Sequence, residues 1–169
     1  TNSISSETIL NSIEVAVSKI LAMFEKSGKL ITCGNGGSSG DAQHIASEFI
    51  NRFEIERKSL PAISLNSDTA TLTSIANDYG YKYVFSKQIN AIGKSDDILM
   101  AFTTSGNSEN ILHAITAAKS KGISTILVCG GNGGEAIKLL DNDDIKVTVP
   151  SERTSRIQEI WSNKNSNDQ

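Results

Sequence analysis

The chain has 169 residues, of which 38% are hydrophobic and 21% charged, with 13 glycines, 2 prolines and a formal net charge of −3. That length fits one domain with a substantial core, and the composition excludes a disordered or fibrous chain. The lack of a basic surplus argues against direct nucleic-acid binding, and no apolar run approaches the ~20 residues that span a bilayer. The sequence opens on Thr1 without a signal-like segment, so a trimmed start, a cytoplasmic location and no membrane partner are expected. Cys33 and Cys129 each end a predicted strand and read as buried thiols of a reducing compartment.

Between Ser5 and Lys26 the residues Ile9, Leu10, Ile13, Val17, Ile20, Leu21 and Phe24 recur at helical spacing. Ser5 or Ser6 is the expected N-cap, and Gly28 the expected left-handed residue beyond the C-terminus. Short runs rich in branched residues then predict strands at 29–33, 62–65, 97–102, 124–129 and 144–149. Helical patterns separate them at about 39–53, 69–77, 81–92, 108–121 and 134–140. Strands that alternate with helices pair in parallel through right-handed crossovers. The expected fold is α/β: an open, doubly wound, flavodoxin-like sandwich with five parallel strands and helices on both faces. It forms one domain over 1–161, N-terminal helix included, and 162–169 is a polar tail.

Ligands of such sheets bind beyond the C-terminal strand ends. Three of those ends carry glycine- or hydroxyl-rich turns: "GNGGSSG" (34–40), "TTSGNS" (103–108) and "GGNGG" (130–134). In the first two a helix starts within the turn, so free backbone N–H groups and the positive dipole end can meet an anion. Thr103, Thr104, Ser105 and Ser108 add hydroxyl donors. Capping alone explains either turn taken singly; two on one sheet edge favour a phosphorylated ligand. A dinucleotide is disfavoured, because position 39 is serine and the first carboxylate after the second strand waits until Asp68. No Walker lysine lies near these turns. A small phosphorylated metabolite remains.

His44 and Glu48 are four apart on the helix after the first turn, and Asp41 precedes them on nearly the same face. Such a pair can ligate Zn²⁺, or its carboxylate can serve as a general base beside a sugar. A solvated face with a His–Glu contact is the plainer reading of the pair in isolation. His113, among alanines and lysines, reads as a surface or boundary residue. Asn77 and Asp78 stand at an expected break in "IANDYGY", as a cap or as contacts to sugar hydroxyls. Gln158 is the one uncharged amide of a predicted C-terminal helix.

Four stretches in order, "CGNGGSSGDAQHIASEF", "NSDTATLTSIANDYG", "TTSGNSENIL" and "VPSERTSRIQEI", resemble the sugar-isomerase (SIS) domain of bacterial phosphoheptose isomerases. The resemblance runs from about Ser6 to Ile160. It implies conversion of sedoheptulose 7-phosphate to an aldose heptose phosphate, D-glycero-D-manno-heptose 7-phosphate, through an enediol, for lipopolysaccharide and other surface heptose. It also implies substrate contacts at Asn35, Gly36, Gly37, Asn77 and Asp78, and a phosphate grip at Thr103, Thr104, Ser105 and Ser108. His44, Glu48 and Gln158 become ligands of one Zn²⁺ per subunit; Glu48 is also the catalytic acid/base, and Gln158 also touches substrate. A homotetramer is implied on the same basis.

One departure stands out. The resemblance implies a long histidine-bearing helix beyond "RIQE", supplying a further metal ligand and a second acid/base, whereas "WSNKNSNDQ" has no histidine. Three readings are open: an incomplete sequence, an altered C-terminus with impaired isomerisation, or a regulatory relative. The last is the alternative function. "INRFEIERKSLPAISLN" (50–66) and "RTSRIQE" (153–159) also resemble the SIS-domain initiator-associating protein, a tetrameric, non-enzymatic partner of the bacterial replication initiator. Glu48 favours the isomerase, since a binding scaffold has no need of that acid.

Overall fold

The computed structural model describes residues 2–52 and 56–149 of the chain. Five strands, β1 (Leu30–Gly34), β2 (Ala62–Ser64), β3 (Ile98–Thr103), β4 (Ser124–Gly130) and β5 (Ile145–Val149), form one sheet in the order β2-β1-β3-β4-β5. Every pairing is parallel, and Leu30 stands beside Ile98 and Gly34 beside Phe102. The helices are α1 (Asn2–Glu25), α2 (Gly37–Ile50), α3 (Thr69–Tyr79), α4 (Ser86–Ile92) and α5 (Glu109–Ser120). Short 3₁₀ helices occupy Tyr81–Tyr83 and Gly134–Leu139. The strand order is that of the flavodoxin-like doubly wound fold.

Strand alternation sorts the core into two layers. Leu30, Ile98, Met100, Phe102, Ile126, Val128, Ile145 and Val147 pack beneath Ala16, Ile20 and Met23 of α1 and Ala42 of α2. Ile31, Cys33, Leu99, Ala101, Leu127 and Cys129 pack on the opposite face against Phe85 and Ile89, and against Ile111, Ala114, Ile115 and Ala118 of α5. Because both faces are covered, β1 and β3 are buried along their whole length, which is why they read as unbroken apolar runs. The polar exception is accommodated: the buried Thr32 hydroxyl donates to the Ala42 carbonyl at 2.7 Å, tying β1 to α2. Both cysteines are free and buried, and burial pushes the Cys33 thiol up to about 12.

Side-chain carboxylates close the N-terminal edge of the sheet. Asp97, 3% exposed, accepts from the Lys29 and Lys94 backbone N–H groups at 2.9 and 2.8 Å and from Lys29 Nζ at 2.6 Å. Asp144 accepts from the Thr125 and Asp141 N–H groups in the same manner. The glycine-rich turns thus lie at the other, C-terminal edge.

Several expected boundaries shift. The first helix already includes Asn2, so Ser5 and Ser6 lie inside it and do not cap it. Ser27, with φ 64°, and not Gly28, takes the left-handed conformation after α1. Gly28 is needed for space, since a Cβ there would fall 2.0 Å from the Asp96 carbonyl oxygen. The second helix starts at Gly37, inside the glycine turn, and ends at Ile50. The stretch 81–92 breaks into a 3₁₀ turn and α4, and 134–139 is 3₁₀. Gln158 and the tail 162–169 lie outside the described residues. Among the described residues no helix is long and apolar enough to cross a membrane.

These contacts set opposite signs for two adjacent substitutions. Ser27→Gly relieves a left-handed conformation and is expected to stabilise by about 0.5–1 kcal/mol, whereas Gly28→Ala forces a clash expected to cost ~1–3 kcal/mol. Urea unfolding midpoints of the two variants check both. Iodoacetamide at pH 8 is expected to leave Cys33 unmodified until denaturant is added, because the native thiol stays protonated there.

Candidate active site

The order β2-β1-β3 places the topological switch between β1 and β3. The chain leaves β1 for α2 on one face and leaves β3 for α5 on the other. The turns after these neighbouring strands therefore diverge from a common base, and a crevice opens between two helix N-termini.

The first turn is shaped by glycine chemistry. Gly36 has φ 55° and ψ −124°, a conformation closed to side chains, and it precedes α2 without a side-chain cap. Gly34 lies against Ser38, whose carbonyl oxygen a Cβ would meet at 2.3 Å. Asn66 extends the edge beyond β2. Its amide donates to the Gly34 carbonyl at 2.9 Å and accepts from the Gly34 N–H at 3.1 Å. Gly36 and Gly37 are exposed, and the N–H groups of α2 ahead of Ser39, whose own N–H donates to the Gly36 carbonyl at 3.1 Å, have no intrahelical acceptor.

The second turn is tighter. The buried Thr103 hydroxyl accepts from the Gly106 N–H at 3.1 Å, and the Ser105 hydroxyl accepts from the Asn107 N–H at 3.2 Å. Ser108 is the N-cap residue of α5 but makes no capping hydrogen bond. Among the described residues the Thr104 and Ser108 hydroxyls have no hydrogen-bond partner, and both remain part-exposed. Two hydroxyls and the uncapped start of α5 thus stand ready for an anion.

The third turn has a different job. Gly106, at φ 69°, packs so closely that a Cβ would fall 1.9 Å from the Gly133 carbonyl oxygen. Gly130 donates its N–H to the Thr104 carbonyl, Ala136 to the Gly106 carbonyl and Glu135 to the Asn107 side chain. Gly134 lets this segment press against the second turn, since a Cβ there would fall 2.5 Å from the Ser105 carbonyl oxygen.

His44 and Glu48 share the exposed flank of α2, with Nε2 and Oε1 3.8 Å apart and side chains 65% and 30% exposed. His44 lies about two turns beyond the first glycine turn and Glu48 about three, rises of ~10 and ~16 Å along α2. The His nitrogen and carboxylate are ligand types that Zn²⁺ takes, and the accessible pair supplies two of the four donors it needs. Among the described residues no group of three or more His, Cys, Asp or Glu completes such a site. Burial pushes the Asp41 carboxyl up, and the neighbouring His44 offsets part of that rise. Arg57 donates to the Glu48 and Phe49 carbonyls and secures the C-terminal turn of α2.

Asn77 and Asp78 do not stand at a break. They form the last turn of α3, exposed, with the Asn77 amide donating to Asp78 Oδ1 at 2.9 Å; the break comes at Gly80, φ 95°. The cap of that region is Asp68 at the start of α3, whose carboxyl is held below its usual range by hydrogen bonds from Thr71. His113 is a boundary residue, as expected, its ring 4.9 Å from that of Tyr83.

The sequence model of the family described as "SIS domain" matches residues 3–130. A phosphoheptose isomerase of Chromohalobacter salexigens is 51% identical over 155 residues, which is 92% of this chain and 79% of that protein. The chain belongs to the phosphoheptose isomerase family. The structure of a phosphoheptose isomerase from Neisseria gonorrhoeae superposes with a TM-score of 0.88 at 38% identity, covering 95% of this chain and 84% of that one. The enzyme from Francisella tularensis gives 0.87 at 41%, covering 93% and 84%.

Within this phosphoheptose isomerase fold, sequence reasoning missed Asn66, Tyr81 and Asn110. Asn110 is 3% exposed, and Asn35 Nδ2 donates to its Oδ1 while its Nδ2 donates to Asn35 Oδ1, each at 2.8 Å. The Tyr81 hydroxyl adds a bond to Asn35 Oδ1 at 3.2 Å. A signal for Asn110 was present, because helical spacing puts it on one stripe with the buried Ala114 and Ala117.

Gly106→Ala is expected to displace the second turn and to weaken inorganic phosphate binding about tenfold, the equivalent of ~1.4 kcal/mol. Gly40→Ala, where a Cβ meets nothing within 4 Å, is expected to leave phosphate affinity unchanged and stabilise α2 by about 0.5–1 kcal/mol. Isothermal titration of both variants, with thermal unfolding, checks the pair.

Proposed function

We infer that this protein is an aldose–ketose isomerase that converts sedoheptulose 7-phosphate to D-glycero-D-manno-heptose 7-phosphate. The observation that carries this reading is the pairing, in a phosphoheptose isomerase fold, of two anion-ready turns at the switch point with the accessible His44–Glu48 flank of α2. Family membership favours it over the replication-initiator partner.

In the proposed mechanism the second turn anchors the phosphate through the Thr104, Ser105 and Ser108 hydroxyls and the α5 N-terminus, with Thr103 shaping the turn. The free N–H groups after Asn35, at Gly36 and Gly37, meet the sugar. Asn77 and Asp78, solvent-facing at the end of α3, are assigned to the sugar hydroxyls. Anchoring the distant phosphate holds the reacting carbons in one register, which removes much of the entropic barrier. The Glu48 carboxylate takes the proton from C1 of the ketose, leaving a cis-enediolate with its charge on the C2 oxygen; a proton passes from the C1 hydroxyl to that oxygen, and Glu48 returns its proton to C2 to give the aldose. Zn²⁺ held by His44 and Glu48, with Gln158 as a further donor, would supply positive charge beside the carbonyl oxygen as negative charge builds there. A homotetramer, a cytoplasmic location and a role in lipopolysaccharide heptose belong to the same proposal.

Glu48→Gln keeps the shape of the side chain and removes its basicity. Turnover of sedoheptulose 7-phosphate, followed by the appearance of aldose, is expected to fall at least 10²-fold, the usual worth of a positioned general base. Turnover retained by this variant would overturn the role of Glu48. Zinc content, measured by mass spectrometry after dialysis against Zn²⁺, is expected to fall in both Glu48→Gln and His44→Ala.

A further inference from the structure

The Asn35–Asn110 pair is the direct side-chain link across the base of the crevice. Asn35 follows β1 and Asn110 opens α5 after β3, so the two amides join the diverging limbs at the switch point. The reciprocal geometry uses one donor and one acceptor of each amide, at 2.8 Å both ways. Tyr81 takes a further acceptor site on Asn35 Oδ1. An asparagine amide carries two N–H donors and one carbonyl oxygen. The oxygen of Asn35 is therefore engaged twice, and one N–H of Asn35 remains without a partner among the described residues.

We propose that Asn110, assisted by Tyr81, is a positioning residue that fixes the Asn35 side-chain amide so that its remaining N–H is presented to the sugar in the crevice. This rests on the sugar-phosphate reading above. A flipped Asn35 would offer its carbonyl oxygen to the ligand, and both bonds to Asn110 would then pair like with like unless Asn110 flipped too. The Tyr81 hydroxyl adds a third bond to the arrangement in which Asn35 Oδ1 is the acceptor. Asn110 is buried and Asn35 half-buried, so the lock is shielded on one side and open to ligand on the other. The side chain that follows β1 thus takes its orientation from the helix that follows the second turn.

Three variants of the full chain test this: Asn110→Leu removes both bonds at similar volume, Asn110→Asp keeps the shape, and Tyr81→Phe removes only the phenolic bond. Steady-state kinetics with sedoheptulose 7-phosphate are expected to show kcat down about tenfold for Asn110→Leu and about threefold for Tyr81→Phe, in line with the net worth of such bonds. Inorganic phosphate affinity, read by calorimetry, should stay within about twofold in both, the reverse of the Gly106→Ala pattern. For Asn110→Asp, only the protonated carboxyl reproduces both bonds, accepting from Asn35 Nδ2 and donating to Oδ1. Its kcat relative to the native chain should therefore rise as pH falls, whereas a packing role gives a flat ratio.

Native kcat in a folded Asn110→Leu chain, a matching loss of phosphate affinity, or a flat pH ratio in Asn110→Asp each overturns the proposal. The Asn35 side-chain amide proton resonances give a readout that needs no turnover: their protection from exchange should be lost in Asn110→Leu. If the native chain fails to turn over the ketose while that protection still depends on Asn110, the substrate assignment falls and the amide lock stands. Protection that survives in Asn110→Leu removes the lock itself.

Discussion

The hydrogen-bonded adjacency of β1 and β3 is the constraint on which the site depends. Their register sets Gly34 beside Phe102, so the two strands end almost level at the C-terminal edge. The chain must then leave for opposite faces, because α2 belongs to one core layer and α5 to the other. Two helix N-termini are brought together by topology alone, and their unpaired N–H groups create an anion-attracting crevice before any side chain is considered. The N-terminal edge is the counterpart: Asp97 accepts from the Lys29 and Lys94 N–H groups there, and Asp144 from those of Thr125 and Asp141.

Upon that base the residues divide the work. Gly134 and Gly106 let the third turn press on the second, since a Cβ on Gly134 would fall 2.5 Å from the Ser105 carbonyl oxygen and one on Gly106 would fall 1.9 Å from that of Gly133. The hydroxyls of Thr104 and Ser108 stay unpaired among the described residues, while Thr103 and Ser105 are engaged in shaping the turn. The α2 flank carries His44 and Glu48 together, with Nε2 and Oε1 3.8 Å apart. In the proposed reaction the second turn would anchor one end of the sugar and the α2 flank would act at the other, which holds the reacting carbons in register.

Much of this was legible in the chain. The apolar runs of β1, β3 and β4 and the alternation with helices led to a doubly wound parallel sheet, because strands buried on both faces leave no other pattern. The glycine and hydroxyl turns announced themselves by composition. Helix limits were less legible. Whether a turn is 3₁₀ or α, as at 134–139, depends on what it packs against, and Gly28 was mistaken for a left-handed cap because glycine serves close approach as readily as positive φ. Asn77 and Asp78 looked like a break because Gly80, the residue that makes it, stands only two positions further on.

The sequence by itself determined the fold class, the edge of the sheet that carries the glycine and hydroxyl turns, and the His44–Glu48 pair. Each of these is a local matter of periodicity or four-residue spacing. Only the tertiary structure decided which glycine turn faces outward and which buttresses its neighbour, and that Asn35 is gripped by Asn110 and Tyr81. Those partners stand 75 and 46 positions away along the chain. Spacing on one helix or strand carries no information about such contacts, since they exist only once parallel pairing has brought β1 beside β3 and fixed the angle at which their turns diverge.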